Sequence, residues 1–351
     1  VASLHSTGRD VVVADETTGG DTWQAFVTPF SATEAGGTQA SNAVVIQGGP
    51  AVQNVVLASA SGYGRTSEDL TVGYEMVGEA ITTATAWTRD GSPLFGLYYP
   101  FEGGASNALV DFSGHGFNGT PGGDPVWVAN GGRDGFGALQ LDGNDFVDAG
   151  NCMSTGAYTK SAWVYWIDNA ATLNNIVSGQ SGHALWIADF DGAERLTAGH
   201  NESWFEVVDP DPFPPEVWTF VAVTYDPAVA GGTLTLYRDG VQISTAAGIP
   251  GNADPRAFVG VFAGGTYPME GSVDDVRILP LALSADQIAA LYNSSDTIVA
   301  AETAIGEVWQ AQVTPFSVSG IGATLASNNL LVSDAATAVD GPAVPNRYQL
   351  F

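Results

Sequence analysis

Residues 216–244 read EVWTFVAVTYDPAVAGGTLTLYRDGVQIS. From Trp218 to Tyr225, and again from Leu234 to Arg238, apolar side chains fall on alternate positions, the period of a strand that turns one face to a core. Arg238-Asp239-Gly240 then supplies a tight turn of the kind that favours positive φ, so the stretch reads as a hairpin of packing strands. Similar strand and turn signals recur outward from it, in LYYPFEGG (97–104), GFGALQLDGNDFVDAG (135–150), KSAWVYWI (160–167) and GSVDDVRILPLALSADQIAALYN (271–293). The one helical pattern lies at the end of the last piece, where Ser284 can cap and Ile288, Leu291 and Tyr292 share a face; it is expected to seal an edge.

Composition agrees with an all-β fold class. The 351 residues are 45% apolar, enough for two or three domains, and hold 44 Gly and 18 Pro as turn-formers beside 16 Phe, 11 Tyr and 9 Trp. Only 14% are charged, yet 38 acidic against 10 basic residues give a net charge of −28, which repels polyanions and excludes nucleic acid as a default partner. No apolar run approaches the roughly 20 residues of a membrane span, and a start at Val1 reads as a processed or partial chain. Cys152 is alone, so no intrachain disulfide forms, and beside Met153 it reads as structural. Lys160 is the single lysine, and acidic, lysine-poor surfaces suit salty or extracellular settings.

The chain repeats itself. Residues 13–42, VADETTGGDTWQAFVTPFSATEAGGTQASN, align without a gap with residues 299–328, VAAETAIGEVWQAQVTPFSVSGIGATLASN, at a constant offset of 286. Trp23, Ala25 and Val27, like Trp309, Ala311 and Val313, alternate along a strand that Pro29 or Pro315 ends. No titratable cluster repeats, so the duplication is of a structural module. Between the copies, NVVLASA (54–60), SEDLTVGYEM (67–76) and ITTATAW (81–87) read as three short strands, the last closing on an Asp90-Gly91 turn.

Two resemblances follow from these motifs. Trp87 to Gly91 resembles strand C of immunoglobulin-like sandwiches, and residues 297–332 resemble the E, F and G strands of bacterial surface immunoglobulin-like repeats, with Ala311 near where many members place a cysteine. The implied domains are a half immunoglobulin-like segment (1–51), the first half of an immunoglobulin-like domain (52–95), a large insertion (96–293), the second half (294–334) and a tail (335–351). The leading segment would then lack its A, B and C strands. The tail is either a docking strand or a frayed terminus. The insertion itself resembles the laminin G-like, concanavalin A-like jelly roll over nearly its whole length, with the Asp111–Gly119 loop and the closing Asp274-Asp275-Val276-Arg277 strand as landmarks. That resemblance implies a structural calcium site joining Asp111 to Asp274 and Asp275; plain turn and edge carboxylates are the other reading.

Chemistry is sparse. Glucanases on this scaffold need paired carboxylates on one strand, and no Glu-x-Asp-x-x-Glu run occurs. Asp209 with Asp211, and Asp189 with Asp191, read as turn carboxylates, and His5, His115, His183 and His200 lack metal or triad spacing, so no enzyme is expected. Trp186 and Trp204, with Phe205 and Tyr267, are candidates for a sugar platform or for packing. Asn118, Asn201 and Asn293 head Asn-x-Ser/Thr sequons and could carry glycans. The expected function is a non-enzymatic extracellular or cell-surface structural protein, a filament subunit joined head-to-tail to copies of itself by half-sandwich complementation through strands bearing Trp23, Val27, Trp309 and Val313. The alternative is a calcium-assisted carbohydrate-binding or adhesion module whose partners are glycans.

Overall fold

The computed structural model describes residues 11–12, 16–168, 173–201, 203–293 and 296–333, so the tail expected at 335–351 lies outside the described residues. The described residues are nearly all strand and turn, with one α-helix, Ala285–Asn293.

The large insertion is a two-layered jelly roll. One layer is an eight-stranded sheet in which Glu270–Leu279 and Tyr158–Trp166 lie side by side at the centre, flanked by Ala138–Asp142 on one side and by Trp218–Asp226, Thr233–Arg238 and Val241–Ala247 on the other. The facing layer consists of two four-stranded sheets, one containing Phe146–Gly150 and Ala257–Val259, the other containing His183–Phe190, Ala193–His200 and Ser203–Val208. Val164, Trp166, Val221, Val223, Leu185, Ile187 and Leu196 meet between the layers in one core. Cys152 packs into the same core, and burial pushes its thiol up to about 12, so it remains protonated and inert at neutral pH.

Turn chemistry sets the hairpins. Asp239-Gly240 and Asp90-Gly91 both adopt consecutive positive φ, as the sequence predicts, and Asp191-Gly192 does the same between His183–Phe190 and Ala193–His200. Consecutive left-handed residues match the right-handed twist of the strands they join.

The central strands are buried on both faces, which departs from the single inner face read from the alternation. Val221, Val223 and Tyr225 point into the jelly-roll core, while Phe220 and Ala222 point outward into a second core. That second core also takes Trp163 and Tyr237 from the sheet, Ile288 from the helix, and Trp87, Trp309 and Phe316 from the flanking segments. The helix therefore covers a sheet face: Tyr292 stacks on Trp163 with ring centroids 5.4 Å apart. Its start carries the expected cap, with the Ser284 N–H donating to Gln287 Oε1 at 2.6 Å and the Gln287 N–H to Ser284 Oγ at 3.4 Å.

The segments on either side of the insertion form one sandwich. Ala51–Ser59, Leu70–Val77 and Thr297–Ile298 make one sheet; Thr82–Arg89 pairs antiparallel with Val308–Ser317 in the other, Trp87 opposite Ala311. Trp87 and Trp309 are buried, and Asn328 ties the layers together by accepting from the Leu57 N–H at 2.9 Å and donating to the Leu57 carbonyl at 3.0 Å. The leading repeat forms two short pairings, Thr22–Trp23 with Val44–Val45 and Phe26–Val27 with Gln39–Ala40, and leaves Phe26, Val27 and Phe30 exposed.

Candidate functional site

Trp186, Trp204 and Tyr267, three of the four aromatics expected to serve as a sugar platform or as packing, line an aromatic cavity of about 150 Å³ together with Leu173, Ala184 and Phe262. Trp186 comes from the middle of His183–Phe190, whose register places it opposite Asn175 and Thr197. Trp204 enters from the edge strand and meets Trp186 edge-on, centroids 6.5 Å apart at 70°, and Phe262 edge-on at 5.3 Å and 76°. Edge-to-face contact fixes the rings against one another without closing the space between them. Trp186 is 6% exposed, and its buried Nε1 has no hydrogen-bond partner. Phe205 and Phe190 continue the apolar surface outside the cavity, with Phe205 5.4 Å from Trp186 and 5.6 Å from Phe190.

The fourth aromatic wall is held by backbone. Tyr267 adopts a positive φ of 54° at the end of a turn in which Ala263, Gly264 and Gly265 are also left-handed. A bulky residue there stays only because its surroundings determine it. The fully buried Asn175 does so: its backbone N–H and Nδ2 both donate to the Tyr267 carbonyl, at 3.2 and 3.0 Å, and Ser178 Oγ donates to Asn175 Oδ1 at 2.7 Å. Tyr267 is thereby presented half-exposed at the rim.

The carboxylates expected to share calcium do not converge. Asp111 accepts from the Tyr98 N–H (3.0 Å), the Ser113 N–H (2.9 Å), Ser113 Oγ (2.7 Å) and the Phe117 N–H (2.9 Å), so both of its oxygens are occupied in closing its own loop. Asp275 lies at a bulge with φ 51° and pairs with the buried Arg277 at 3.0 Å, while Asp274 accepts from the Arg133 N–H at 3.0 Å. This donor set does not fit one shared calcium ion. Among the described residues, the three carboxylates whose oxygens do cluster are Asp124, Asp142 and Asp145, and there both Asp145 oxygens already accept backbone N–H groups.

Asp274 and Asp275 instead line a polar crevice of about 270 Å³ between the two sandwiches, with Glu102, Asp134 and Asp296. Burial, then the charge of Asp134, pushes Glu102 up to about 8; burial and Asp275 raise Asp274 well above the carboxylate range. A second titratable cluster, missed in the sequence, lies in the jelly-roll core. Lys160 Nζ donates to the Val177 carbonyl at 2.9 Å and lies 3.2 Å from His183 Nδ1, and Tyr158 bonds His200. Burial drives Lys160 down to about 7 and His200 down to about 4.

The remaining candidates are structural turns and pairs. Asp209 pairs with Arg238 at 2.8 Å, and Asp189 Oδ1 accepts from the Gly192 N–H at 2.9 Å. Of the sequon asparagines, Asn118 accepts from the Asp111 N–H, Asn201 donates to the Gly251 carbonyl and Asn293 to the Ala289 carbonyl. His5 lies outside the described residues.

With this geometry in view, residues 141–289 match the family model of the concanavalin A-like lectin/glucanases superfamily, in its laminin G-like branch. That segment has the jelly-roll fold. No curated protein matches the chain. Similar solved structures include domain 4 of AbnA, an extracellular arabinanase from Geobacillus stearothermophilus, in complex with arabinotriose (22% identity, TM-score 0.48, 57% of this chain and 99% of that one). Others are the binding domain of botulinum neurotoxin DC in complex with rat synaptotagmin II (17%, 0.40, 56% and 50%) and the CBM40 of a Ruminococcus gnavus sialidase bound to sialyllactose (16%, 0.37, 44% and 95%). The match spans nearly all of the arabinanase domain and half of the neurotoxin binding domain. No helix among the described residues is long and apolar enough to cross a membrane.

Proposed function

We propose that the jelly roll is a non-enzymatic carbohydrate-binding module of an extracellular or cell-surface protein, and that it binds a neutral sugar in the aromatic cavity. The observation that carries this reading is the cavity itself: four aromatic walls, no charged side chain among its lining residues, and an unpartnered buried indole N–H at Trp186. The C–H face of a sugar ring packs on such walls, and a hydroxyl accepting from Trp186 Nε1 would remove the cost of burying that donor unpaired. The test is a glycan array followed by calorimetry on the Trp204→Ala and Tyr267→Ala variants. Both are expected to weaken binding at least about tenfold, the scale of one lost stacking contact with its hydroxyl partner. Glycan binding untouched by both changes sinks the assignment.

A second reading, assembly by half-sandwich complementation, is favoured by the exposed apolar hairpin at residues 22–45. Imaging of the native assembly with and without that hairpin tests it: removal is expected to abolish assembly, and intact assembly refutes it.

A further inference from the structure

Residues 22–45 and 308–331 are the same hairpin built twice. Gln24 Nε2 donates to the Ser41 carbonyl at 2.7 Å and Gln310 Nε2 to the Ser327 carbonyl at 2.9 Å; the Ala25 and Ala311 N–H groups each reach a serine Oγ at 3.0 Å. Thr28 and Thr38 bond at 2.6 Å, Thr314 and Thr324 at 2.7 Å. The two differ in what covers them. Along the closing copy, Trp309 to Phe316 pair with Thr82–Arg89, and Trp309, Ala311, Val313 and Phe316 are fully buried. In the leading copy Val27 is 65% and Phe30 79% exposed, and among the described residues the strand edge equivalent to that pairing is unpaired and Asn42, the counterpart of the clamping Asn328, has no side-chain partner.

We propose that the leading hairpin is a docking site for a three-stranded half of the kind formed by residues 51–93, supplied by another repeat unit of this type. The closing copy shows the fit in full. The incoming strand equivalent to Thr82–Arg89 pairs with Trp23 to Phe30 in the register of the twin, and Asn42 clamps the backbone of the strand equivalent to Ala51–Ser59.

The occupant cannot be the same half of a second copy. Among the described residues there are two such hairpins and one three-stranded half, and that half is already engaged by the closing hairpin. Exchange between copies moves the uncovered hairpin from one chain to the next and buries no additional surface. A further half is needed.

This inference rests on the assembly reading and names its partner. The experiment is hydrogen–deuterium exchange of the full chain, alone and with a polypeptide of residues 51–93, either free or joined ahead of residue 1 through a flexible linker that raises its effective concentration. Residues 22–45 are expected to gain at least about tenfold protection, and Val27→Asp, a change at an exposed position that leaves the chain folded, is expected to abolish the gain. Sedimentation of the chain alone is expected to show a monomer from about 1 to about 100 μM. Self-association through residues 22–45 would leave the assembly reading standing and overturn this partner. A monomer whose hairpin stays unprotected in both probe formats overturns both. Protection at Val27→Asp equal to that of the native chain overturns the docking face.

Discussion

Lys160 occupies a position where strand alternation asks for an apolar side chain. It is in step with Ala162, Val164 and Trp166, all of which enter the jelly-roll core, and its ammonium is fully buried. Burial lowers its pKa to about 7, far below the lysine value in an unfolded chain. Between about pH 7 and pH 10 the unfolded chain then holds a proton that the folded one does not, so this residue makes stability rise with pH across that window. Lys160→Met removes the titration, and the melting-temperature difference between variant and native protein is expected to move against the variant as pH is raised through the window. A difference that stays constant refutes the lowered pKa. Glu102 carries the opposite sign. Its pKa is raised to about 8, so the folded state holds the extra proton between about pH 4.5 and pH 8 and stability falls as pH rises. Glu102→Gln keeps an acceptor for the Gly137 N–H and removes the charge. The variant is expected to match native stability near pH 4.5 and exceed it at pH 8, by on the order of 2–4 °C in melting temperature for each kcal/mol recovered.

At the scale of the element, the two hairpins are an internal control. Asn328→Ala breaks two hydrogen bonds to Leu57 and is expected to cost about 1–3 kcal/mol, whereas Asn42→Ala in the isolated chain is expected to cost nothing measurable. Chemical denaturation of both variants checks the contrast, and equal costs would show that the leading hairpin is already covered. The repeat itself was plain in the sequence, as were the capped helix, the Asp-Gly turns and the jelly-roll strands, because each is a local pattern of period, cap or turn. Trp186, Trp204 and Tyr267 were legible as aromatics in strands and loops. Their convergence with Phe262 and Leu173 was not, since strand order brings together residues nearly a hundred positions apart. The arrangement of the acidic loops was hidden for a related reason: loop carboxylates look alike in sequence, and only the structure shows that Asp111 accepts from neighbouring N–H and O–H groups in its own loop, apart from Asp274 and Asp275. The alternation of Lys160 with Ala162, Val164 and Trp166 is the one local signal of its inward placement. Its burial depended on a second layer whose placement no local pattern gives.

At the scale of the whole molecule, a net charge of −28 on 351 residues surrounds an uncharged aromatic cavity. The field of such a surface acts over about 10 Å at 0.1 M salt and shortens to about 3 Å at 1 M, while stacking and hydrogen bonding within the cavity do not depend on it. Neutral and anionic glycans should therefore separate by their salt response. Affinity for a neutral oligosaccharide is expected to stay flat, within about twofold, as sodium chloride is raised from about 0.05 to about 0.5 M, whereas an anionic analogue of the same backbone binds weakly at low salt and gains affinity as the repulsion is screened. Titration calorimetry on the matched pair reads both slopes. An anionic ligand that binds tightest at the lowest salt would mean that a basic contact dominates, and the Trp186–Trp204–Tyr267 cavity would no longer account for recognition.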